Sequence, residues 1–196
     1  MCIRDRVCQI SGGTVNGNIV STGGIISLTN GTTVSGNLQI SGTATGTGAG
    51  QSHVLCSATV GNDLQFQAES NPLTIGGSSC GTTSVGGNLQ IQSNTSKSLI
   101  SATYTGVHGN VQVQSNAGTV VLEYDRVGND MQVTSNTNSV VASYNTVNGN
   151  LQIQNNTSSS QVFGNTIKGN LQCNGNSTIT GGGNTAPSKQ GQCSAF

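Results

Sequence analysis

The stretch Val-Asn-Gly-Asn-Leu-Gln-Ile-Gln, residues 147–154, is one of eight copies of a short motif that recurs along the chain. Each copy has a β-branched residue, two small or polar residues, Asn or Asp, an aliphatic residue, usually Gln, and another apolar residue. The copies begin at Val15, Val34, Val60, Val85, Val107, Val127, Val147 and Ile167. Their spacings are 19, 26, 25, 22, 20, 20 and 20 residues. Such a period is typical of architectures in which one structural unit stacks on the next.

Apolar and polar residues alternate within the motif, as in Leu151, Gln152, Ile153 and Gln154, which is the pattern of a strand with one buried face. A second alternating stretch follows each Asn-containing turn, and helical patterns are absent. About 20 residues at roughly 3.3 Å per residue form one loop of short strands whose ends return one strand spacing along an axis. The sequence therefore predicts an all-β fold: a single-stranded, right-handed parallel β-helix (β-solenoid) of about eight coils of roughly 20 residues.

Identical positions in successive coils are expected to form ladders. The inward ladder comprises Leu38, Leu64, Leu89, Val111, Met131, Leu151 and Leu171. One Asn corner comprises Asn18, Asn37, Asn88, Asn110, Asn150 and Asn170, with Asp63 and Asp130 in two copies, and a second comprises Asn94, Asn116, Asn136, Asn156 and Asn176. Corner amides can bond the backbone of adjacent coils. Tyr104, Tyr124 and Tyr144 share one register, and we expect them to stack with the inward set; the alternative is a sugar-binding strip.

The composition restricts the function. Only 12 of 196 residues are charged, six basic and six acidic, against about 50 in an average domain of this length. Nucleic acid is an improbable partner because phosphate binding needs clustered cations. The apolar runs are a few residues long, too short for a transmembrane segment. With 32% hydrophobic and 3% aromatic residues, we expect a thin, repetitive core.

The first six residues, Met-Cys-Ile-Arg-Asp-Arg, do not match the repeat and resemble a translated sequencing-adaptor scar. We therefore divide the chain into an artefact at residues 1–6 and one β-helix domain at residues 7–196 with a C-terminal disulfide cap. On this interpretation the natural N-terminus, together with any secretion signal, is missing. The expected location is outside the cell or on its surface.

The cysteine spacings predict two disulfides. Cys173 and Cys193 are 20 residues apart, and Cys56 and Cys80 are 24 residues apart, about one coil in each case. Stacked residues of neighbouring coils have Cα atoms about 4.8 Å apart, a distance that a disulfide accepts. Such bonds indicate an oxidising compartment. Cys8 has no evident partner, so we expect a buried thiol or a bond to sequence outside this chain.

No metal or cofactor is expected. His53 and Cys56 have ligand-like spacing, but the chain contains just one further histidine, His108, at least one coil away. A zinc site needs about four such ligands. We therefore disfavour zinc.

One acidic cluster, formed by Glu123, Asp125 and Asp130 with Arg126 nearby, is the candidate catalytic site. The chain resembles pectate-lyase-like lyases and polygalacturonase-like hydrolases in its coil architecture. That resemblance implies paired carboxylates, or acids that hold calcium beside a basic residue. The simpler interpretation is a solvated charge group, which we favour.

The candidate binding face is an outward glutamine column. It comprises Gln39, Gln65, Gln90, Gln112, Gln132, Gln152 and Gln172. These amides either bond along their own ladder or bind a glycan, another protein or an identical rod. Ice binding is a further alternative, because some ice-binding proteins are β-solenoids with flat faces. Those proteins commonly present Thr ladders, whereas Thr here is expected to be scattered among turns.

From about Val15 to Cys193 the repeat period and the Gly-Asn-Leu-Gln motif resemble repeat regions of secreted bacterial surface and adhesin-like proteins. The resemblance implies a non-enzymatic extracellular structural or adhesive module that contacts polysaccharide or a cell-surface protein. Lateral or end-to-end self-association of the rods would fit the same class. A polysaccharide lyase or glycoside hydrolase is the alternative function.

Overall fold

A computed structural model describes residues 7–42, 51–95 and 97–196. The artefact proposed for residues 1–6 lies outside these ranges. Three parallel sheets run along the described chain, which contains no helix. The all-β, parallel β-solenoid architecture predicted from the repeat is therefore confirmed.

Each coil contributes one strand to each sheet, and the described residues supply nine, eight and nine strands. Sheet 1 consists of Val7–Ser11, Ile25–Thr29, His53–Leu55, Leu73–Gly76, Ile100–Thr103, Val120–Glu123, Val140–Ser143, Ser159–Phe163 and Thr178–Gly182. Sheet 2 consists of Thr14–Val15, Thr33–Val34, Thr59–Val60, Thr83–Val85, Thr105–Val107, Arg126–Val127, Thr146–Val147 and Thr166–Ile167. Sheet 3 consists of Ile19–Thr22, Leu38–Ser41, Leu64–Gln67, Leu89–Gln92, Val111–Gln114, Met131–Thr134, Leu151–Gln154, Asn170–Asn174 and Ser188–Gly191.

The described strands make about nine turns, one more than the number of motif copies. Every strand pairs in parallel with its equivalent in the next coil, so Val111 faces Met131 and Met131 faces Leu151. The extra turn arises because Val7–Ser11 precedes the first motif and Ser188–Gly191 follows the last. Counting motifs misses these strands because neither carries the Gly-Asn signature.

The core is a set of stacked aliphatic ladders between the three sheets. The inward ladder that begins at Leu38 is buried along its whole length. Sheet 2 adds the β-branched residue that opens each motif, such as Val127 and Val147. Each fully buried Leu, Ile or Val contributes about 1.5–3 kcal/mol relative to exposure. Repetition of these small contributions allows a chain with few aromatic residues to form a continuous core.

Three buried or half-buried polar ladders close the corners. The two predicted Asn ladders are present, with backbone N–H groups that donate to the side-chain oxygen of a neighbouring coil, as from Asn116 to Asn136 at 3.0 Å. A third ladder, at the corner between sheets 1 and 2, was not predicted. It runs through Asp125, Asn145, Asn165 and Asn184. All three satisfy backbone groups that the turns leave without a sheet partner.

Both predicted disulfides are formed. The Cα atoms of Cys56 and Cys80 are 5.2 Å apart, and those of Cys173 and Cys193 are 5.3 Å apart. Cys8 is disulfide-bonded as well, so the expectation of a buried thiol is wrong. The C-terminal bond holds the tail against the last coil, where Cys193 is buried and Phe196 packs against the core.

The expectation that the tyrosines point inward is wrong, although they do stack. Tyr104, Tyr124 and Tyr144 have φ angles of 54°, 60° and 58°, and each follows the last residue of a sheet 1 strand. A left-handed residue breaks the strand alternation and turns its side chain out of the core. The rings are therefore exposed, by 45, 43 and 52% respectively.

Candidate functional site

The exposed tyrosine ladder, formed by Tyr104, Tyr124 and Tyr144, is the main aromatic feature of the described surface. Adjacent ring centroids lie 4.7 and 5.1 Å apart, with interplanar angles of 11° and 10°. This is the spacing of successive coils, so the backbone sets the stack. Contiguous exposed apolar surface of this kind marks interaction sites more often than it occurs by chance.

The two ends of the tyrosine ladder differ. At one end the Tyr144 ring covers Gly164, because a Cβ atom on Gly164 would lie 2.7 Å from two ring carbons. At the other end the equivalent position is Gly77, whose N–H donates to the carbonyl of Thr103. A Cβ atom on Gly77 would have just the Cys80 sulfur, at 3.7 Å, within 4 Å. A Cβ atom on Gly77 would therefore enter open space, whereas one on Gly164 would meet the Tyr144 ring.

A groove runs beside the tyrosine ladder over sheet 2. Its floor is the outward register of that sheet, in which Ser84 pairs with Gly106, Gly106 with Arg126 and Arg126 with Thr146. Three adjoining depressions of about 400, 300 and 200 Å³ are all lined by Arg126. Because Gly106 has no side chain, the floor is lowest directly beside the Arg126 guanidinium. The arrangement is a concave, polar-floored surface with an aromatic wall.

Arg126 is an exposed cation in this groove. Across the described ranges no carboxylate forms a salt bridge with its guanidinium, and the one ion pair found there joins His53 and Glu69. Arginine offers five N–H donors in a planar fork that matches carboxylate and sulfate groups. The groove therefore contains a permanent positive charge that no carboxylate of the described residues pairs with.

Asp125, a candidate catalytic residue, is buried in the third corner ladder rather than directed at solvent. Its exposed fraction is 3%, and its Oδ1 accepts the Thr105 N–H at 2.9 Å. Burial raises the pKa of Asp125 well above its ordinary value of 3.8; the Thr105 hydrogen bond opposes this shift and Glu123 adds to it. The carboxyl group is consequently held toward its neutral form, in a position that the following coils fill with Asn145, Asn165 and Asn184.

The remaining candidate catalytic residues are distributed over two corners. Glu123 ends a sheet 1 strand, and Arg126 begins the sheet 2 strand that follows. Asp130 belongs to the corner between sheets 2 and 3, where its Oδ1 accepts the N–H groups of Asn150 at 2.6 and 3.1 Å. The structure thus brings Arg126 to the groove, whereas Asp125 and Asp130 are hydrogen-bonded rungs of separate ladders.

The glutamine face, defined by the predicted column from Gln39 to Gln172, points outward from sheet 3 as expected. Several of its amides bond along the column: Gln90 donates to Gln112 at 3.3 Å, and Gln152 donates to Gln172 at 3.0 Å. Most members are half-buried by their neighbours. Amides that already pair with each other have less capacity to bind a ligand.

The expectation that Thr is scattered among turns is wrong. Thr14, Thr33 and Thr59 pair in register on the outward side of sheet 2, and Thr146 pairs with Thr166 in the same register. These two groups form a threonine ladder that is interrupted by Ser84, Gly106 and Arg126. Sequence reasoning missed this because each sheet 2 strand is two or three residues long, which is too short for alternation to be visible.

His53, the suggested zinc ligand, lies in the interior of the solenoid. Its Nδ1 accepts the Ile26 N–H at 3.2 Å, and its Nε2 lies 3.5 Å from the Glu69 carboxylate. Cys56, its suggested co-ligand, is bonded to Cys80. No group of three potential metal ligands occurs in the part of the chain that the structure describes.

One sequence signal could have located the tyrosine ladder. Left-handed residues precede the buried Asn at two corners, as Ser135 precedes Asn136 and Tyr144 precedes Asn145. At the tyrosine corner the three Tyr are flanked in the same register by Gly77 before them and by Gly164 and Gly183 after them. A column that accepts both Gly and Tyr before Asn indicates a left-handed turn.

Comparison of the chain with protein-family models, with curated proteins and with solved structures gives no match. Within the described ranges, the structure has no helix with the length and apolar character needed to span a membrane. The functional argument therefore depends on the geometry of this chain.

Proposed function

We propose that this protein is a non-enzymatic extracellular adhesive module that binds polysaccharide through the tyrosine ladder and the groove beside it. The observation that carries the proposal is the exposure of three stacked rings in a chain with only six Phe and Tyr residues and no Trp. Placing those rings outside the core costs apolar burial, which needs a compensating role.

Rigidity favours the ladder as a binding surface. Each ring is held by its left-handed backbone and by stacking on its neighbours. Binding to such rings loses little side-chain entropy, which is why rigid tyrosines are effective contact residues. Their apolar edges and phenol groups suit sugars, which also combine C–H surfaces with hydroxyl groups.

The phenol proton of Tyr124 remains available for hydrogen bonds. Desolvation, followed by the neighbouring Tyr104 and Tyr144 and by Glu123, raises the pKa of Tyr124 above 10.0. A neutral phenol can donate to a sugar oxygen and accept from a sugar hydroxyl. The central ring of the ladder thus keeps both capacities at physiological pH.

The extracellular part of the proposal is supported by the two one-coil disulfides, because such bonds persist in oxidising environments. The low charge of the chain fits a neutral or weakly charged ligand better than a polyelectrolyte. These two features agree with the surface and adhesin-like resemblance of the repeat.

The test is binding of the disulfide-intact protein to a glycan array, followed by affinity measurement on the best ligand. The variant that replaces Tyr104, Tyr124 and Tyr144 by Gly should lower affinity by at least about tenfold, because it removes the contact surface. Its fold should persist, since Gly already occupies this column at positions 77, 164 and 183. Gln132→Ala, on the glutamine face of the same coils, is the matched control.

Two results would contradict the proposal. Unchanged glycan affinity in the triple variant would remove the tyrosine ladder from the binding surface. Release of unsaturated or reducing products from pectin-like polymers, abolished by Asp125→Asn, would instead favour the lyase or hydrolase alternative and reject the non-enzymatic assignment.

Ice binding is the second candidate because of the threonine ladder on sheet 2. Arg126 and the adjacent tyrosine ladder interrupt the flat surface that such binding requires. Thermal hysteresis of the intact protein tests this alternative directly. Hysteresis that Thr59→Lys abolishes, together with silence on the glycan array, would favour it over the adhesive proposal.

A further inference from the structure

The open end of the tyrosine ladder is a cavity of about 400 Å³ between Tyr104 and the turn that follows Gly77. The cavity is lined by both Gly77 and Tyr104, which occupy successive rungs of the same column. Register places Gly77 opposite Tyr104, just as Tyr104 lies opposite Tyr124. The coil spacing that holds the existing rings 4.7 and 5.1 Å apart therefore leaves room for one ligand ring against Tyr104.

The side chains that line this cavity indicate which kind of ligand ring would bind there. Tyr104 supplies an apolar face, whereas Ser78, Thr82 and Ser84 supply hydroxyl groups around it. A purely aromatic guest would bury those hydroxyls without partners, and each buried polar group without a partner weakens binding. A pyranose ring pairs a C–H face with Tyr104 and its own hydroxyls with the rim.

Arg126 adds a charge requirement. Its guanidinium lines the same cavity and has no carboxylate partner among the described residues. Two parallel N–H donors of arginine bind a planar carboxylate or a sulfate ester in a bidentate manner. Gly106 lies between Arg126 and Ser84 on the floor, so no side chain separates the charge from the cavity.

The wall opposite Tyr104 is preorganised. The turn from Gly77 to Cys80 is closed by the Cys80 N–H, which donates to the Gly77 carbonyl at 3.0 Å. The Cys56–Cys80 disulfide fixes the same turn to the preceding coil. A wall that does not need to be ordered on binding lowers the entropic cost of association.

We infer that this cavity binds one anionic sugar, a pyranose that carries a carboxylate or a sulfate ester, stacked on Tyr104 and paired with Arg126. This inference rests on the proposed function, since it names the class of sugar that binds at the Gly77 end of the tyrosine ladder. The remaining sugars of a longer chain would follow the groove along Tyr124 and Tyr144.

The test is calorimetric or NMR titration of the intact protein with three matched trisaccharides. One ends in glucuronic acid, one in 6-sulfated N-acetylglucosamine and one in glucose. We expect at least one of the two anionic probes to bind at least about tenfold more tightly than the glucose probe, and the preferred probe identifies the anionic group. Arg126→Gln should remove that preference by lowering the affinity for the preferred anionic probe at least about tenfold.

Two further variants make the test independent of folding. Lys168→Gln removes an equal charge from an exposed position outside the cavity and should change the affinity for the anionic probes less than about twofold. Gly106→Thr fills the floor with a residue that the same register already contains, and its Cβ would meet just the Thr83 carbonyl oxygen at 4.0 Å. It should bind more weakly while its thermal stability is maintained or increased.

The outcomes separate the two proposals. Equal binding of all three probes, or anionic preference that survives Arg126→Gln, overturns the anionic-sugar inference and leaves the adhesive function standing. Absence of binding to all three probes and to every longer glycan overturns both. Anionic preference that Arg126→Gln abolishes and Gly106→Thr weakens supports the inference.

Discussion

At the residue scale, Tyr104, Tyr124 and Tyr144 show how one backbone angle redirects a side chain. Their positions continue the apolar alternation of the preceding strand, yet their left-handed φ angles place the rings outside. Non-glycine residues adopt this conformation at a cost of about 1–2 kcal/mol. Gly occupies other rungs of the same column without this cost. The presence of Tyr at three rungs is therefore consistent with a role for the rings at the surface.

Asp125 is the residue at which stability should respond most directly to pH. Its folded-state pKa is raised by burial, so the unfolded chain loses the proton at lower pH than the folded protein does. The free energy of unfolding should therefore fall as the pH rises above 3.8 and level off above the folded-state pKa. Chemical denaturation at a series of pH values measures this slope.

Asp125→Asn should abolish that contribution and stabilise the protein at pH 7 by about 1–3 kcal/mol. The neighbouring rung explains why: Asn145 donates its side-chain amide to the Leu122 carbonyl at 2.9 Å, a bond that an ionised carboxylate cannot make. Asp130→Asn, which makes the same change in the half-buried ladder between sheets 2 and 3, is the control variant. A variant less stable than the parent at pH 7 would contradict this account.

At the scale of elements, the corner ladders join the coils that the sheets align. In the buried ladder at the corner between sheets 3 and 1, the oxygen of each side-chain amide accepts hydrogen bonds and its NH2 group donates them. Asn136 accepts the Asn116 N–H and donates to the Val113 carbonyl and to Asn156. Because both neighbouring coils depend on each rung, removal of one side chain leaves unpaired groups on either side.

Asn136→Ala should therefore lower the free energy of unfolding by about 2–4 kcal/mol, since it leaves buried donors and acceptors unsatisfied. Asn150→Ala, in the half-buried ladder where water can replace the lost bonds, should cost about 0.5–1.5 kcal/mol. Equilibrium urea denaturation of both variants makes the comparison. Equal losses would show that burial of the ladder does not determine its contribution.

At the scale of the whole molecule, the stack of coils has ends that need protection. A parallel solenoid contacts just its nearest neighbours, so an uncovered terminal coil exposes strand edges. At the C-terminus the strand Ser188–Gly191 pairs with Asn170–Asn174, and the disulfide that follows it holds Cys193 against the core. These contacts join the last coil to the coils before it, so we expect it to unfold together with them.

Replacement of Cys173 and Cys193 by Ala should destabilise that end by about 3 kcal/mol, the entropic contribution of a loop of this length. Hydrogen exchange should show lost protection in residues 170–191 before the coils at residues 100–150 change. Uniform loss of protection along the rod would mean that the bond stabilises the whole solenoid equally. Replacement of Cys56 and Cys80 by Ala provides the comparison at an interior coil.

The repeat period of the sequence is enough to predict the architecture, because stacking turns a chain period directly into contacts between coils. Leu151 pairs with Leu171, so the inward ladder follows from the repeat period, and the 20 residues between Cys173 and Cys193 predict the end disulfide. Tertiary structure decided the site. The direction of Tyr124, the outward threonine register of sheet 2 and the cavity at Gly77 depend on left-handed turns and two-residue strands. These backbone features do not change the periodic pattern of hydrophobic residues, so the pattern cannot predict them. They nevertheless determine which side chains lie together on the surface.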